Sequence, residues 1–281
     1  SAQTYHDGET VAAATLRKVS AQSVSAMAGV ANIGDSENWT GSDMAQANWY
    51  AFGRLCWNPD MSAAQLADEF LKQTFSADEG FVGPMRQVLL RSWDAAVSYM
   101  MPYGLHHIFA GEHHYGPEPW YHPGGDIRLD WLPSYYHRAD SVGLGFDRTR
   151  EGSGGAAQYH EPLATLYGDL RTCPEEYLLW FHHVPWLYVM RNGLTLWDNL
   201  CYIYNHGVDE AHHFATVWEG MRSYVDATRY ERQKARFDRQ AKDAVWWRDA
   251  CLLYFQQFSG LPLPADCPPP VHKLKDLMKY H

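Results

Sequence analysis

The 281-residue sequence predicts a mainly α fold, in which a helical domain follows one β/α unit of a sheet or barrel. Residues 22–34 (QSVSAMAGVANIG) are small and apolar without a helical period, which indicates a buried strand, and a polar loop and a helix follow them. From residue 84 onward, apolar residues recur at helical spacing. Because a single strand leaves its edges unpaired, we expect the strands that complete this sheet to precede the sequence.

The predicted β/α unit covers residues 1–58. Ser42 can cap a helix that begins near Asp43, and the Asn58-Pro59 pair disfavours its continuation. Ser62 can cap a second helix, over residues 63–75. The helical domain is therefore predicted to span residues 59–281.

Within this domain, residues 101–157 show no clear periodicity and are predicted to be a long irregular segment, which is typical of functional loops. The last long helix is predicted to be rich in aromatic side chains, and Gly207 is predicted to be a helix C-cap. The predicted helices cover residues 84–101, 174–186, 194–207, 208–225 and 228–258, with a short basic helix in 273–281.

Composition excludes some classes of function. The chain has 12 Trp, 18 Tyr and 11 Phe, and such an aromatic excess suits cores, interfaces and carbohydrate sites. A net charge of -10 disfavours a nucleic-acid partner. The five cysteines form no CxxC pair and are expected to be reduced thiols. The sequence shows no signal peptide and no membrane span, so we expect an intracellular, periplasmic or cell-associated protein.

The proline-rich loop, residues 111–125 (GEHHYGPEPWYHPGG), is the most unusual part of the sequence. Its three prolines exclude a helix or a central strand, so its aromatic side chains stand on rigid, irregular backbone. Trp120 could then be a stacking face for a sugar, with Arg128 as an anion clamp, at little entropic cost on binding. The alternative is that Trp120 and Trp131 fill a gap between helices.

A second set of candidates follows the predicted strand directly. Asp35 and Trp39 lie where barrels and open sheets bind ligands, at the carboxyl end of a strand. They could bind hydroxyl groups, or Asp35 could merely accept hydrogen bonds from loop amides. Both interpretations remain open.

Four histidine doublets occur, at residues 106–107, 113–114, 182–183 and 212–213. Adjacent side chains diverge on regular backbone, and neither an HExxH motif nor zinc-finger spacing is present. We therefore expect structural histidines, no metal and no cofactor.

Five motifs resemble the C-terminal part of glycoside hydrolase family 67, the α-glucuronidases that act on glucuronoxylan. The match runs from about Gly8 to the end of the sequence, with the motifs in family order. The motifs are NIGDSENWTG-(x)3-AQANWYAFGRLCWNPD, MMPYGLHHIFA-(x)3-HYGPEPW, YYHRADSVGLGFDRT, TCPEEYLLWFHHVPW and WWRDACLLYFQQF.

The resemblance implies an N-terminal β-rich domain, a central (β/α)8 barrel and a helical C-terminal domain. This sequence would supply the last barrel strand and helix, followed by the helical domain. It also implies an inverting hydrolase whose acid and base lie on earlier barrel strands, so no catalytic residue is assigned here. Trp120 and Tyr115 of the HYGPEPW motif, and Arg128 after it, would contact the xylose side of the substrate.

The resemblance further implies three partners: glucuronoxylan-derived oligosaccharides, the barrel of the same enzyme and a second copy in a homodimer. A competing hypothesis is a non-catalytic helical module that binds carbohydrate or mediates dimerisation, since its aromatic content and acidic charge fit that role as well.

Overall fold

The computed structural model describes residues 28–31, 38–111, 114–122, 124–126, 128, 130 and 132–279. The described chain is mainly helical, in agreement with the predicted class. The helices are α1 (Gln46–Trp57), α2 (Ala63–Thr74), α3 (Glu79–Met100), α4 (Pro133–Tyr136), α5 (Leu163–Gly168), α6 (Leu178–Phe181), α7 (Leu196–Glu219), α8 (Ala227–Ser259) and α9 (Leu274–Leu277). Two short strands, β1 (Gly143–Leu144) and β2 (Val184–Pro185), pair in antiparallel fashion.

The chain forms two compact units. The first unit comprises residues 1–93 and 213–238, and the second comprises residues 94–212 and 239–281. The predicted boundary at residue 58 separates the β/α unit from the helical domain. This division differs from the two compact units, and it stays a prediction. Most of the predicted strand 22–34 lies outside the described residues. Its described part, residues 28–31, has no assigned strand structure and is exposed.

Helix α2 of the first unit follows the sequence prediction closely. The Ser62 hydroxyl accepts a hydrogen bond from the Gln65 amide, and the Gln65 side chain accepts one from the Ser62 amide, which completes a capping box. The buried face of α2 carries Leu66, Ala67, Phe70 and Leu71, which recur at helical spacing. Local residue chemistry is sufficient to determine this helix.

Aromatic rings dominate the core of the first unit. Trp218 is fully buried and lies edge-on to Phe75, with ring centroids 6.0 Å apart. It also stacks on Tyr230 at 5.8 Å, and its indole nitrogen donates to the Tyr230 carbonyl. This core holds the ends of α2, α7 and α8 in place.

The core of the second unit surrounds the buried parts of α7 and α8. Trp197, Tyr204 and Phe255 are almost completely inaccessible to solvent. Trp186 packs edge-on against Trp197 and at a tilt against Phe255, with centroids 6.0 and 6.4 Å apart. Trp186, Trp218 and Trp247 lie in the core, whereas Trp180 and Trp246 are only half-buried.

The predicted starts of two helices are wrong. Helix α3 begins at Glu79 rather than at Pro84. The Asp78 carboxylate accepts a hydrogen bond from the Gly80 amide at 2.7 Å, so Asp78 starts the helix. Pro84 therefore lies in the second turn of α3, where it cannot donate a hydrogen bond to the Gly80 carbonyl. Helix α1 begins at Gln46, although Ser42 does accept a hydrogen bond from the Ala45 amide, at 3.0 Å.

Gly207 is not a helix C-cap, since α7 continues through it to Glu219. A Cβ atom at this position would lie 2.5 Å from the backbone nitrogen of Tyr99. The glycine is therefore needed for close approach of another backbone, not to end a helix.

The predicted helix over residues 174–186 is also wrong beyond Phe181. Residues 182–185 are not helical, Val184–Pro185 pairs with Gly143–Leu144, and Trp186 lies in a turn. The β-branched Val184 and the proline favour extended backbone, and the partner strand supplies hydrogen bonds that the sequence alone does not reveal.

Candidate functional site

The proline-rich loop is held by a short antiparallel pairing in the second unit. The Glu118 amide donates to the Ile108 carbonyl at 2.7 Å, and the Ala110 amide donates to the Gly116 carbonyl at 2.9 Å. The buried Glu118 carboxylate accepts a hydrogen bond from the Gly111 amide at 3.0 Å. Backbone and side-chain bonds therefore fix this loop internally, as its prolines predict.

Gly116 is the residue that seats the loop on α8. Its φ of 82° lies in the left-handed region, and a Cβ atom there would lie 2.1 Å from the Trp246 ring. Both the backbone conformation and the close approach require glycine.

Trp120 follows this pairing in a turn and is half-buried. Its ring centroid lies 6.1 Å from that of Tyr254 on α8, with the planes at 59°. Behind it, the Pro119 carbonyl accepts a hydrogen bond from Nε2 of the buried His137 at 3.2 Å. Burial lowers the pKa of His137 to about 4, so the imidazole is neutral near pH 7. Trp120 is thus supported from within the unit and retains accessible ring surface.

Tyr115 contacts a different part of α8. Its hydroxyl donates to the Asp243 carboxylate and accepts from Arg239 at 3.2 Å. Asp243 precedes Tyr254 by eleven residues, which corresponds to about 16 Å along a helix. The structure therefore places Tyr115 and Trp120 on the same loop but against separate stretches of α8.

Arg128 is exposed and already paired. Its guanidinium makes a two-point ion pair with Asp130, in which Nε lies 2.9 Å from Oδ1. The hydrogen bonds from Arg128 lower the pKa of Asp130, so the carboxylate stays ionised. Any anion clamp at Arg128 would have to compete with this neighbour.

Trp39 and Asp35 are the two candidates that follow the predicted strand. Trp39 belongs to the first unit, where its ring lies edge-on to Trp49 at 5.3 Å. Asp35 lies outside the described residues.

A cluster of histidines, aromatic rings and one arginine was missed by the sequence analysis. We call it the histidine–aromatic cluster. Its ring contacts run from His114 through Phe109 and His107 to Tyr136, with successive centroids 4.8, 4.7 and 4.5 Å apart. The members are His106, His107, Phe109, His114, Tyr136, Arg148 and Trp180.

The backbone of this cluster is strained at two positions. His107 and His114 have φ values of 59° and 57°, in the left-handed region that residues with a Cβ seldom occupy. Such strain is often found at functional sites, where surrounding structure maintains it.

Burial and nearby charges favour the neutral forms of His106 and His107. Burial and the nearby Arg148 cation lower the pKa of His106, and burial together with His106 and His114 lowers the pKa of His107. Neutral imidazoles can both donate to and accept from hydroxyl groups. The cluster therefore offers ring faces, neutral hydrogen-bonding groups and one cation, which suits a carbohydrate.

Two carboxylates in the same unit have structural roles. Asp140 accepts hydrogen bonds from the amides of Val142 and Gly143 and lies 3.1 Å from Nε2 of His183. Glu118 accepts from the loop amide described above. Neither arrangement resembles a pair of carboxylates facing an open space for water.

Over the described part of the chain, no three potential ligands among His, Cys, Asp and Glu converge as a metal would require. None of the described helices combines the length and apolar character needed to cross a membrane. All five cysteines are unpaired thiols.

The family model described as glycosyl hydrolase family 67 C-terminus matches residues 40–267. The alpha-glucuronidase A of Emericella nidulans is 35% identical over 239 residues, which cover 84% of this chain and 27% of that protein. The alpha-glucuronidase A of Aspergillus tubingensis is 33% identical over 237 residues, which cover 84% of this chain and 28% of that protein. The chain thus spans little more than a quarter of the length of these relatives.

Proposed function

Since the chain belongs to glycosyl hydrolase family 67 and corresponds to its C-terminus, we propose that it is part of an inverting α-glucuronidase. The complete enzyme removes glucuronic acid or its 4-O-methyl derivative from xylooligosaccharides. The observation that carries this proposal is the alignment with alpha-glucuronidases over 84% of the chain.

The acid and base lie in the part of the enzyme that precedes this chain. An inverting hydrolase needs one protonated carboxyl group and one carboxylate, about 6.5–9.5 Å apart so that water fits between them. Glu118 and Asp140 are occupied by structural hydrogen bonds. We therefore expect the chain alone to have no hydrolytic activity.

The role of this chain is to contact the xylose side of the substrate through the proline-rich loop. Support comes from Trp120, whose half-exposed ring stands on backbone fixed by the Glu118–Ile108 pairing. A preorganised ring loses little entropy when a sugar stacks on it. Tyr115 and Arg128 are weaker candidates because Asp243 and Asp130 already bind their polar groups. Asp35 and Trp39 remain proposed substrate-binding residues, and their support is their position directly after the predicted strand.

The chain's further partners are the preceding barrel and a second copy in a homodimer. Trp57 and Trp93 of the first unit are 89% and 72% exposed, which is unusual for tryptophan in a protein that lacks a partner on that surface. Light scattering of the complete enzyme tests the dimer, and a strict monomer at high concentration argues against it.

Assays on aldouronic acids test the activity itself. The complete enzyme should release the uronic acid, and the 281-residue chain should not. Turnover by the chain alone would contradict the assignment of the acid and base to the preceding part. The alternative function, a non-catalytic carbohydrate-binding module, predicts an inactive complete protein that still binds xylooligosaccharides.

Trp120→Ala in the complete enzyme tests the substrate contact. Loss of a stacking contact of about 0.5–1.5 kcal/mol should lower kcat/KM on xylooligosaccharide-linked substrate about two- to twelvefold. An aryl glucuronide without xylose should be much less affected, because it lacks the sugar that the ring contacts.

Tyr177→Ala serves as a control, since it removes an exposed aromatic ring from the same unit at a position outside the proline-rich loop. Equal losses on both substrates, together with a lower melting temperature, would assign Trp120 a packing role only.

A further inference from the structure

Arg148 occupies a fixed position in the second unit. Its amide donates to the Phe181 carbonyl at 2.9 Å, and its own carbonyl accepts from the Ala156 amide at 2.8 Å. The residue is 8% exposed, so the charged side chain is buried almost completely.

The guanidinium of Arg148 rests on aromatic rings. Its Cζ atom lies 3.8 Å from the centroid of the Trp180 ring and 4.7 Å from that of Phe146. Such cation–π contacts are favourable, but they leave the edge of the guanidinium plane available for hydrogen bonds.

Among the described residues, only one nitrogen of this guanidinium has a hydrogen-bond acceptor. Nη1 donates to the Trp180 carbonyl, and no other hydrogen bond to the guanidinium and no ion pair with a carboxylate occurs within the described ranges. A guanidinium has five N–H donors, and a buried cation without a counter-ion is costly. Burial lowers the pKa of Arg148, and the titratable groups that oppose this shift are tyrosines. Among the residues that the structure describes, Arg148 therefore has no carboxylate of the kind that normally accompanies a buried arginine.

An aromatic wall beside Arg148 leads to solvent. The exposed His106 ring lies edge-on to Trp180 at 5.5 Å and tilted to Tyr136 at 5.9 Å. Tyr136 and Trp180 are nearly parallel, with centroids 5.9 Å apart and planes at 21°. Trp180 and Tyr136 are half-buried, so part of this wall is accessible.

We propose that Arg148 binds the carboxylate group of a ligand whose body lies against His106, Tyr136 and Trp180. A carboxylate matches the planar donor edge of a guanidinium, and the ring surfaces suit a flat apolar face such as that of a sugar. The carboxylate could come from an acidic sugar or from a small free carboxylate anion. The acidic-sugar source rests on the proposed function, whereas the carboxylate chemistry rests on Arg148 and its surroundings.

Direct binding to the 281-residue chain tests this proposal. The probes are D-glucuronate, acetate and D-glucose, titrated separately while nuclear magnetic resonance follows the Arg148 Nε–H and the Trp180 indole N–H. We expect glucuronate to shift both signals in a saturable manner and glucose to shift them far less. Tighter binding of glucuronate than of acetate assigns the site to an acidic sugar, and equal affinities assign it to a free carboxylate. No saturable shift with either anion overturns the proposal.

Three variants locate the binding. Arg148→Gln should abolish the shift of the Trp180 signal. Arg148→Lys keeps the charge but loses the planar edge, so the affinity should fall about tenfold. Arg171→Gln is the matched control, since it removes one exposed, Asp169-paired cation from the same unit and should leave the affinity unchanged.

If Arg148→Gln does not fold, the Arg148→Lys variant and the wild-type titration still decide whether Arg148 binds the carboxylate. Affinity that is unchanged in Arg148→Lys, or lowered equally by Arg171→Gln, overturns the proposal. These measurements need no turnover, so they are separate from the test of function. An inactive complete enzyme that retains the Arg148-dependent binding refutes the proposed function alone, and an active enzyme without that binding refutes this inference alone.

Discussion

Removal of the Asp249 carboxylate should destabilise the second unit strongly. Asp249 is fully buried on α8, next to Arg248, which is also buried. Its Oδ1 atom accepts from Arg248 at 2.8 Å, and its Oδ2 atom accepts from the amides of Val271 and His272 at 2.9 and 3.0 Å. Nδ1 of His272 lies 2.8 Å from the same oxygen. One side chain thus neutralises a buried cation and fastens the C-terminal segment to α8.

The expected loss follows from those contacts. Asp249→Ala leaves the Arg248 guanidinium buried, and the Asn205 side-chain carbonyl at 3.0 Å is its remaining side-chain acceptor among the described residues. Breaking a buried ion pair by removing one partner costs about 3–5 kcal/mol. The two amides freed at Val271 and His272 can reach water if the segment detaches, so we expect the loss in unfolding free energy to fall within this range.

Urea denaturation measures the unfolding free energy, and limited proteolysis beyond residue 260 reports detachment of the segment. Asp266→Ala is the matched control, because Asp266 lies in the same segment but accepts its hydrogen bond from the exposed Tyr202 hydroxyl, at 2.9 Å. An exposed contact of this kind contributes about 1 kcal/mol or less.

A loss for Asp249→Ala no larger than that for Asp266→Ala would refute this reasoning. It would mean that Arg248 finds water or another acceptor without loss of the surrounding structure. Unchanged proteolysis beyond residue 260 would separately show that Asp249 does not fasten the segment.

Two further predictions concern His137 and Gly207. The folded-state pKa of His137 lies at about 4, below its ordinary value of 6.5, so protonation of the unfolded state should remove stability as the pH falls from about 6.5 to about 4. The loss approaches about 3 kcal/mol, and His137→Gln should flatten this part of a stability–pH profile; an equally steep profile would exclude His137 as the cause. Gly207→Ala should cost about 1–3 kcal/mol, because its Cβ would meet the Tyr99 backbone, whereas Gly53→Ala, with open space around it, should be neutral or stabilising in thermal denaturation. Similar melting temperatures for both glycine variants would contradict the close approach at Gly207.

The candidate site was only partly predictable from the sequence. The prolines of residues 111–125 predict a rigid loop, and the pairing of Glu118 with Ile108 confirms this rigidity. The support of Trp120 by Tyr254 was not predictable, since the two residues are distant in sequence. The role of Trp120 in substrate binding stays a prediction.

The histidine–aromatic cluster was missed for the same reason. His106, Tyr136, Arg148 and Trp180 come from four separate segments, and no local spacing relates them. Two sequence signals were present: the histidine doublet at residues 106–107 and the single arginine in VGLGFDRT. Both lie within the motifs that resemble family 67. Neither indicates that Arg148 is buried against Trp180.

The sequence by itself determined the mainly helical class, the capped start of α2 and the extent of α8 to within one residue at each end. These features depend on side chains within a few positions of one another, such as Ser62 with Gln65. Tertiary structure decided whether residues 182–186 would be helical, whether Gly207 would end a helix, and where the Arg148 guanidinium would be buried. Each of those outcomes depends on a distant segment, because the partner strand, the Tyr99 backbone and the Trp180 ring become neighbours only when the chain folds.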